Sequence, residues 1–71
     1  MYRERIQKLL TFSISGAADL DLRHVEAYMR LENSTLDGLS EYAFRQECVI
    51  AAYAAKMDPD SAERLARSFG L

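Results

Sequence analysis

Apolar positions along this chain recur mostly at helical spacing, and four stretches follow from that pattern. Tyr2, Ile6, Leu9 and Leu10 fall on one side of a helix expected over Tyr2 to about Thr11, with Arg3, Glu4, Gln7 and Lys8 turned elsewhere. Leu22, Val25, Tyr28 and Met29 form the core edge of a second helix from about Leu22 to Glu32, in which Glu26 and Arg30 stand four apart as a stabilising acid-then-base pair. A third helix begins at Glu41. Ser40 is its cap, and Leu39 and Phe44 are placed as a hydrophobic staple that fixes the entry angle. From Cys48 to Ala55 every residue is apolar, and a helix apolar all round is normally buried, so this stretch is expected at the centre of the fold. It ends near Met57. Asp58-Pro59 then caps and opens a fourth helix, with Ala62, Leu65, Ala66 and Phe69 on one stripe and Gly70 as its stop.

Two connections are less regular. Leu10, Phe12 and Ile14 alternate with Thr11, Ser13 and Ser15 in the period of a strand, which suits either a short extended connector or a strand paired with its copy in a dimer. The connector is the reading adopted, because the chain offers no other strand. Gly16, Ala17 and Ala18 make a loose joint, after which Asp19 or Asp21 caps the second helix. Asn33 and Ser34 stop that helix, and Asp37-Gly38 permits a positive φ in the following turn. Leu31 sits nearly opposite Leu22 on the helical wheel, so it is either covered by that turn or exposed. Five alanines between 43 and 55 leave little bulk and let neighbouring helices approach closely. The expected fold is all-α: a small compact bundle of three to four helices around a central buried helix at about 41–57, with residues 1–71 as one domain.

Composition narrows the chemistry. The 49% apolar and 28% charged content is that of a folding chain. A chain of this size buries only about 60% of its unfolded surface, so self-association would help it. The net charge of -2 hides a gradient: three basic residues face one acid in residues 1–18, and seven acids face three arginines in 19–47. No dense basic stripe of the kind that grips phosphates is present. The lone cysteine, Cys48, excludes an internal disulfide, and one cysteine with one histidine cannot complete a structural zinc site. A reducing cytoplasm is the expected compartment. The N-terminal basic residues and LLTFSISGA imitate a secretion signal, but the apolar run is short and broken by hydroxyl residues. No stretch approaches the roughly 20 apolar residues of a membrane span.

Individual side chains read mostly as structure. His24, in the first turn of its helix, is expected at the surface, and Cys48, mid-helix on an apolar face, as a buried inert thiol. The pairs Asp19/Asp21 and Asp58/Asp60 are explained by capping without a metal. Tyr28, Tyr42, Tyr53, Phe44 and Phe69 are assigned mainly to packing, with Tyr42 as the exposed aromatic. No phosphate loop, catalytic triad motif or nucleotide fingerprint occurs, so no catalytic, cofactor or metal residue is named. An enzyme would need groups shared across a dimer, such as His24 of one subunit facing acids of the other.

The closing SAERLARSFGL resembles the first helix and turn of a helix-turn-helix, with Ala62, Leu65, Ala66 and Gly70 in the matching roles, but no recognition helix follows it. A ribbon-helix-helix dimer using Leu10 to Ser15 would present no arginine or lysine to the bases. The expectation is therefore a non-enzymatic protein-interaction or regulatory module, acting as a homodimer or docking onto a larger partner. Leu31, Tyr42, Arg64 and Arg67 are its candidate surface. A small DNA-binding or transcription-modulating protein is the alternative.

Overall fold

Three of the helices begin where a short acceptor side chain meets free backbone N–H groups. In the computed structural model, which describes residues 2–13, 19–33 and 35–71, the elements are α1 (Tyr2–Ser13), α2 (Leu22–Glu32), α3 (Glu41–Met57) and α4 (Pro59–Ser68). The Asp21 carboxylate accepts from Arg23 N–H at 2.9 Å, Ser40 Oγ from Ala43 N–H at 3.1 Å, and Asp58 from Ser61 N–H at 3.1 Å. Asp58 also closes α3 by donating its own N–H to Ala54, so one residue joins the two helices. At the far end of α4, Gly70 adopts φ 76°, which lets Leu71 N–H reach back to Ala66 O at 2.8 Å. Gly38, by contrast, has no positive φ, and its turn closes through Leu39 N–H to Leu36 O at 3.3 Å.

The stretch expected as an extended connector is helical as far as it is described: α1 continues through Thr11 to Ser13. Helix satisfies each backbone group internally where a lone strand leaves them unpaired. It also seats Leu10 one turn beyond Ile6, and both are fully buried. A ribbon built on Leu10 to Ser15 is thereby overturned up to Ser13. Ile14, Ser15, the joint at 16–18 and the expected stop at Ser34 lie outside the described residues.

The bundle is all-α, as expected, and its centre is shared by α2 and α3: each packs against the other and against both α1 and α4, whereas α1 and α4 do not pack against each other. Ile6, Leu10, Val25, Met29, Leu36, Phe44 and Cys48 fill the core together with Ala51, Ala52, Ala55 and Ala62. The Glu26–Arg30 pair forms at 2.8 Å but is no surface pair: Glu26 is only 4% exposed and also receives Arg3 from α1 at 3.5 Å. A buried carboxylate must be compensated in this way, or it would be neutralised.

The expectation that α3 is buried all round fails on one side. Phe44, Cys48, Ala51, Ala52 and Ala55 face inward, while Ile50, Tyr53 and Met57 are 55%, 53% and 84% exposed. The reason is steric, since α2 and α4 lie against a face of alanines and leave α3 no room to turn a bulkier edge inward. Replacing Ala52 with Leu should therefore destabilise the fold by about 1–3 kcal/mol through overpacking. Urea denaturation measures this, and an unchanged midpoint would mean that the inner face has slack.

Candidate functional site

Two places among the described residues are candidates for a site. One is the corner where the start of α2 meets α4. Asp21, Arg23 and His24 occupy the N-terminal turn of α2, and Glu63 stands across from them on α4. Arg23 Nη2 donates to Asp21 Oδ2 at 2.8 Å and to Glu63 Oε1 at 3.0 Å, and its Nη1 donates to Leu71 O at 3.2 Å. His24 Nε2 lies 2.8 Å from Glu63 Oε1 and 3.6 Å from Asp21 Oδ2. An ionised carboxylate can only accept, so the imidazole carries its proton on Nε2.

His24 is thus no surface residue: its side chain is 13% exposed, tucked between α2 and Glu63. The hydrogen bond from His24, then that from Arg67, and the nearby Arg23 charge hold the Glu63 carboxyl down at about 2. Asp21 is likewise held below the usual carboxylate range, chiefly by the Arg23 side-chain hydrogen bond. The donor atoms of Asp21, His24 and Glu63 lie within 4.8 Å of one another, a spacing that metal ligands also show. The cation among these oxygens, however, is the Arg23 guanidinium, which already bridges both carboxylates. The chemistry of the corner is that of an ion-pair clasp between two helices.

An open cleft of about 340 Å³ lies beside this clasp, lined by Asp19, Leu20, Asp21, His24, Ala55, Lys56 and Pro59. A second, of about 450 Å³, is lined by Tyr2, Arg30, Thr35, Leu36 and Phe69. Its polar groups are engaged, Arg30 by Glu26 and the Tyr2 hydroxyl by Asp37. Among the described residues, every buried side-chain nitrogen and oxygen has a hydrogen-bond partner. Cys48 is buried as expected, and burial pushes its thiol up to about 11, away from the thiolate that nucleophilic chemistry needs.

The other place is the outer face of α3. On a helix of 3.6 residues per turn, Tyr42, Gln46, Val49, Ile50, Tyr53 and Met57 share an arc of about 100°. Of these, Tyr42, Ile50, Tyr53 and Met57 are more than half exposed, Tyr42 at 77%. This apolar stripe follows the 17 residues of α3, whose length is about 25 Å. Monomeric surfaces scatter single apolar residues, and four large apolar side chains on one arc, interrupted by the exposed Gln46, make this face a candidate interaction surface.

Tyr42 alone of the four candidate surface residues lies on the stripe. Leu31 is 55% exposed at the end of α2, where no turn covers it. Arg64 and Arg67 are on α4 and are spent locally, Arg64 on Ser61 Oγ at 3.0 Å and Arg67 on Glu63 at 3.0 Å. Of the aromatics assigned to packing, Phe44 is fully buried, Tyr28 packs against the core, and Tyr53 and Phe69 are exposed. Sequence reasoning missed the clasp and found only Tyr42 of the stripe. The clasp joins residues 39 and 40 positions apart, which leaves no local signal. The stripe did leave one, in the steps of three, four and one between positions 42 and 57, hidden because the opposite face is apolar too.

Compared with protein-family models, with curated proteins and with solved structures, the chain matches none.

Because Glu63 titrates lower in the folded chain than its ordinary value of 4.5, its contribution to stability is complete above that value and fades as pH falls toward about 2. Glu63→Gln should accordingly melt at a lower temperature than the parent at pH 7, with the gap shrinking between pH 4.5 and 2. Thermal denaturation across that range measures it, and a gap independent of pH would show that the loss is one of packing.

Proposed function

We propose that this chain is a small non-enzymatic protein-interaction module whose docking face is the outer side of α3, covered by a second copy or by a larger partner. The observation that carries the reading is the arrangement of side-chain size on that helix beyond its first turn. Past the buried Phe44, only Cys48 and alanines are buried, while Ile50, Tyr53 and Met57, with Tyr42 before them, face water. Leaving large apolar groups solvated forgoes about 1.5–3 kcal/mol for each side chain that a partner would bury completely. An interface of standard size takes about 800 Å² from each partner, roughly one sixth of this chain's 4662 Å² surface. A five-turn helix is long enough to present it.

Among the described residues, the clustered groups are engaged in holding the fold. His24 Nε2 is engaged by Glu63, and Cys48 is protonated at neutral pH. Among the described residues no helix is long and apolar enough to cross a membrane. A single buried thiol fits a reducing compartment such as the cytoplasm. The module reading also leaves room for a regulatory role, since a docked small domain can occupy a groove that another protein needs.

The reading is tested by selecting displayed helical peptides for binding to the chain and then measuring the selected peptides against variants. Ile50→Glu and Tyr53→Glu should each weaken binding at least tenfold, while the thermal midpoint moves by only a few degrees because both positions are already half exposed. Arg64→Ala, on α4, should leave affinity unchanged. Peptides indifferent to both glutamate substitutions would place the docking face elsewhere.

A further inference from the structure

The stripe on α3 has two unlike edges. On the helical wheel Arg45 and Lys56 border it on one side, and Ala43 and Ala54 border it on the other. Arg45 and Lys56 are both exposed, and among the described residues neither forms an ion pair. Most other cations of the chain are committed: Arg3 and Arg30 to Glu26, Arg5 to Glu41, Arg23 to Asp21 and Glu63, and Arg67 to Glu63. The stripe is therefore bordered by two cations left free to meet a partner. On the opposite edge, alanines permit close approach of a second backbone.

Resting on the docking reading above, we propose that the occupant of the α3 face is an amphipathic helix of another protein that carries Asp or Glu along the edge meeting Arg45 and Lys56. Helices that pack along an apolar seam bring their flanking positions into register, so charge on those positions chooses the partner and its direction. A second copy of this chain supplies the wrong charges. Paired antiparallel, each copy sets its Arg45 and Lys56 edge against the same edge of the other. Paired parallel, that edge meets Ala43 and Ala54, with the half-buried Glu47 as the one acid nearby. An acidic lipid surface is a poorer match as well, because Asp58 and Asp60 stand exposed just past Met57 and the chain as a whole is at -2.

The geometry also orients the partner. The alanine edge draws the two helices together on one side, and the long basic side chains reach over the rim on the other. Apolar contact along Tyr42, Val49, Ile50, Tyr53 and Met57 supplies affinity, while the basic edge sets encounter rate and selectivity.

The experiment is a selection of phage-displayed peptide helices with a fixed apolar seam and flanking positions randomised among Asp, Glu, Ser, Gln, Lys and Arg. Asp and Glu should be enriched severalfold over input at one flank. An isolated acidic-edged peptide should bind about tenfold more weakly when Arg45 and Lys56 are both changed to Glu, and raising the salt should erase the difference. That double variant should instead select Lys and Arg, which a merely structural role for the two residues would not produce. Binders without charge preference that still lose affinity on Ile50→Glu would overturn the acidic-edge proposal and leave the docking face standing. Failure to select any helix would overturn both. Light scattering that finds a stable mass near 16 kDa, twice the 8.1 kDa chain, and returns to one chain on Ile50→Glu, would make a second copy the occupant and sink the proposal. So would binding to phosphatidylserine vesicles that outcompetes the peptides.

Discussion

Close approach of α2 to its neighbours governs this molecule. Ala27 on α2, Ala51, Ala52 and Ala55 on α3, and Ala62 and Ala66 on α4 are all buried, so the helices meet through their smallest side chains. Packing of that kind leaves little volume between the axes. The core is completed by a few larger groups, Ile6, Leu10, Val25, Met29 and Phe44, brought in mainly from α1, α2 and the first turns of α3. In exchange, the bulky residues of the second half of α3 have no place inside.

The same constraint explains why polar anchoring sits at the ends of helices. With so little apolar bulk in the interior, the angle between α2 and α4 is held at the corner by Arg23, His24 and Glu63, and that between α1 and α2 by Arg3 and Arg30 on Glu26. Arg5 adds a bridge of another kind, its guanidinium 3.7 Å from the centre of the Phe44 ring while it pairs with Glu41. Charged groups here do positional work that a larger domain would leave to its core.

Much of the architecture was legible in the chain because helix boundaries are local facts. Asp21, Ser40 and Asp58 announce three helix starts through side-chain chemistry, and Gly70 announces an end. The extension of α1 through Ser13 was not legible, since Leu10 fits both periods and only Ile6 one turn below it settles the matter in favour of helix. Nor was the sharing of the centre between α2 and α3. A run of apolar residues reports that no polar side chain interrupts it, but which face is covered depends on how near the neighbouring backbones come. The candidate sites were the least legible part. His24 looked solvent-facing from its own helix because its partner, Glu63, arrives from the other end of the chain.

The separation of α1 from α4 carries a further consequence. Both lean on α2 and on α3 and do not pack against each other, so thermodynamic coupling between α1 and α4 passes through that central helix pair. Fraying of α1 need not loosen α4, and strain at α4 reaches α1 only by disturbing α2 or α3. Meanwhile the outer face of α3 points away from α2. A partner gripping it would load the helix from outside, and any signal it carried inward would have to cross the row of alanines against which α2 is wedged.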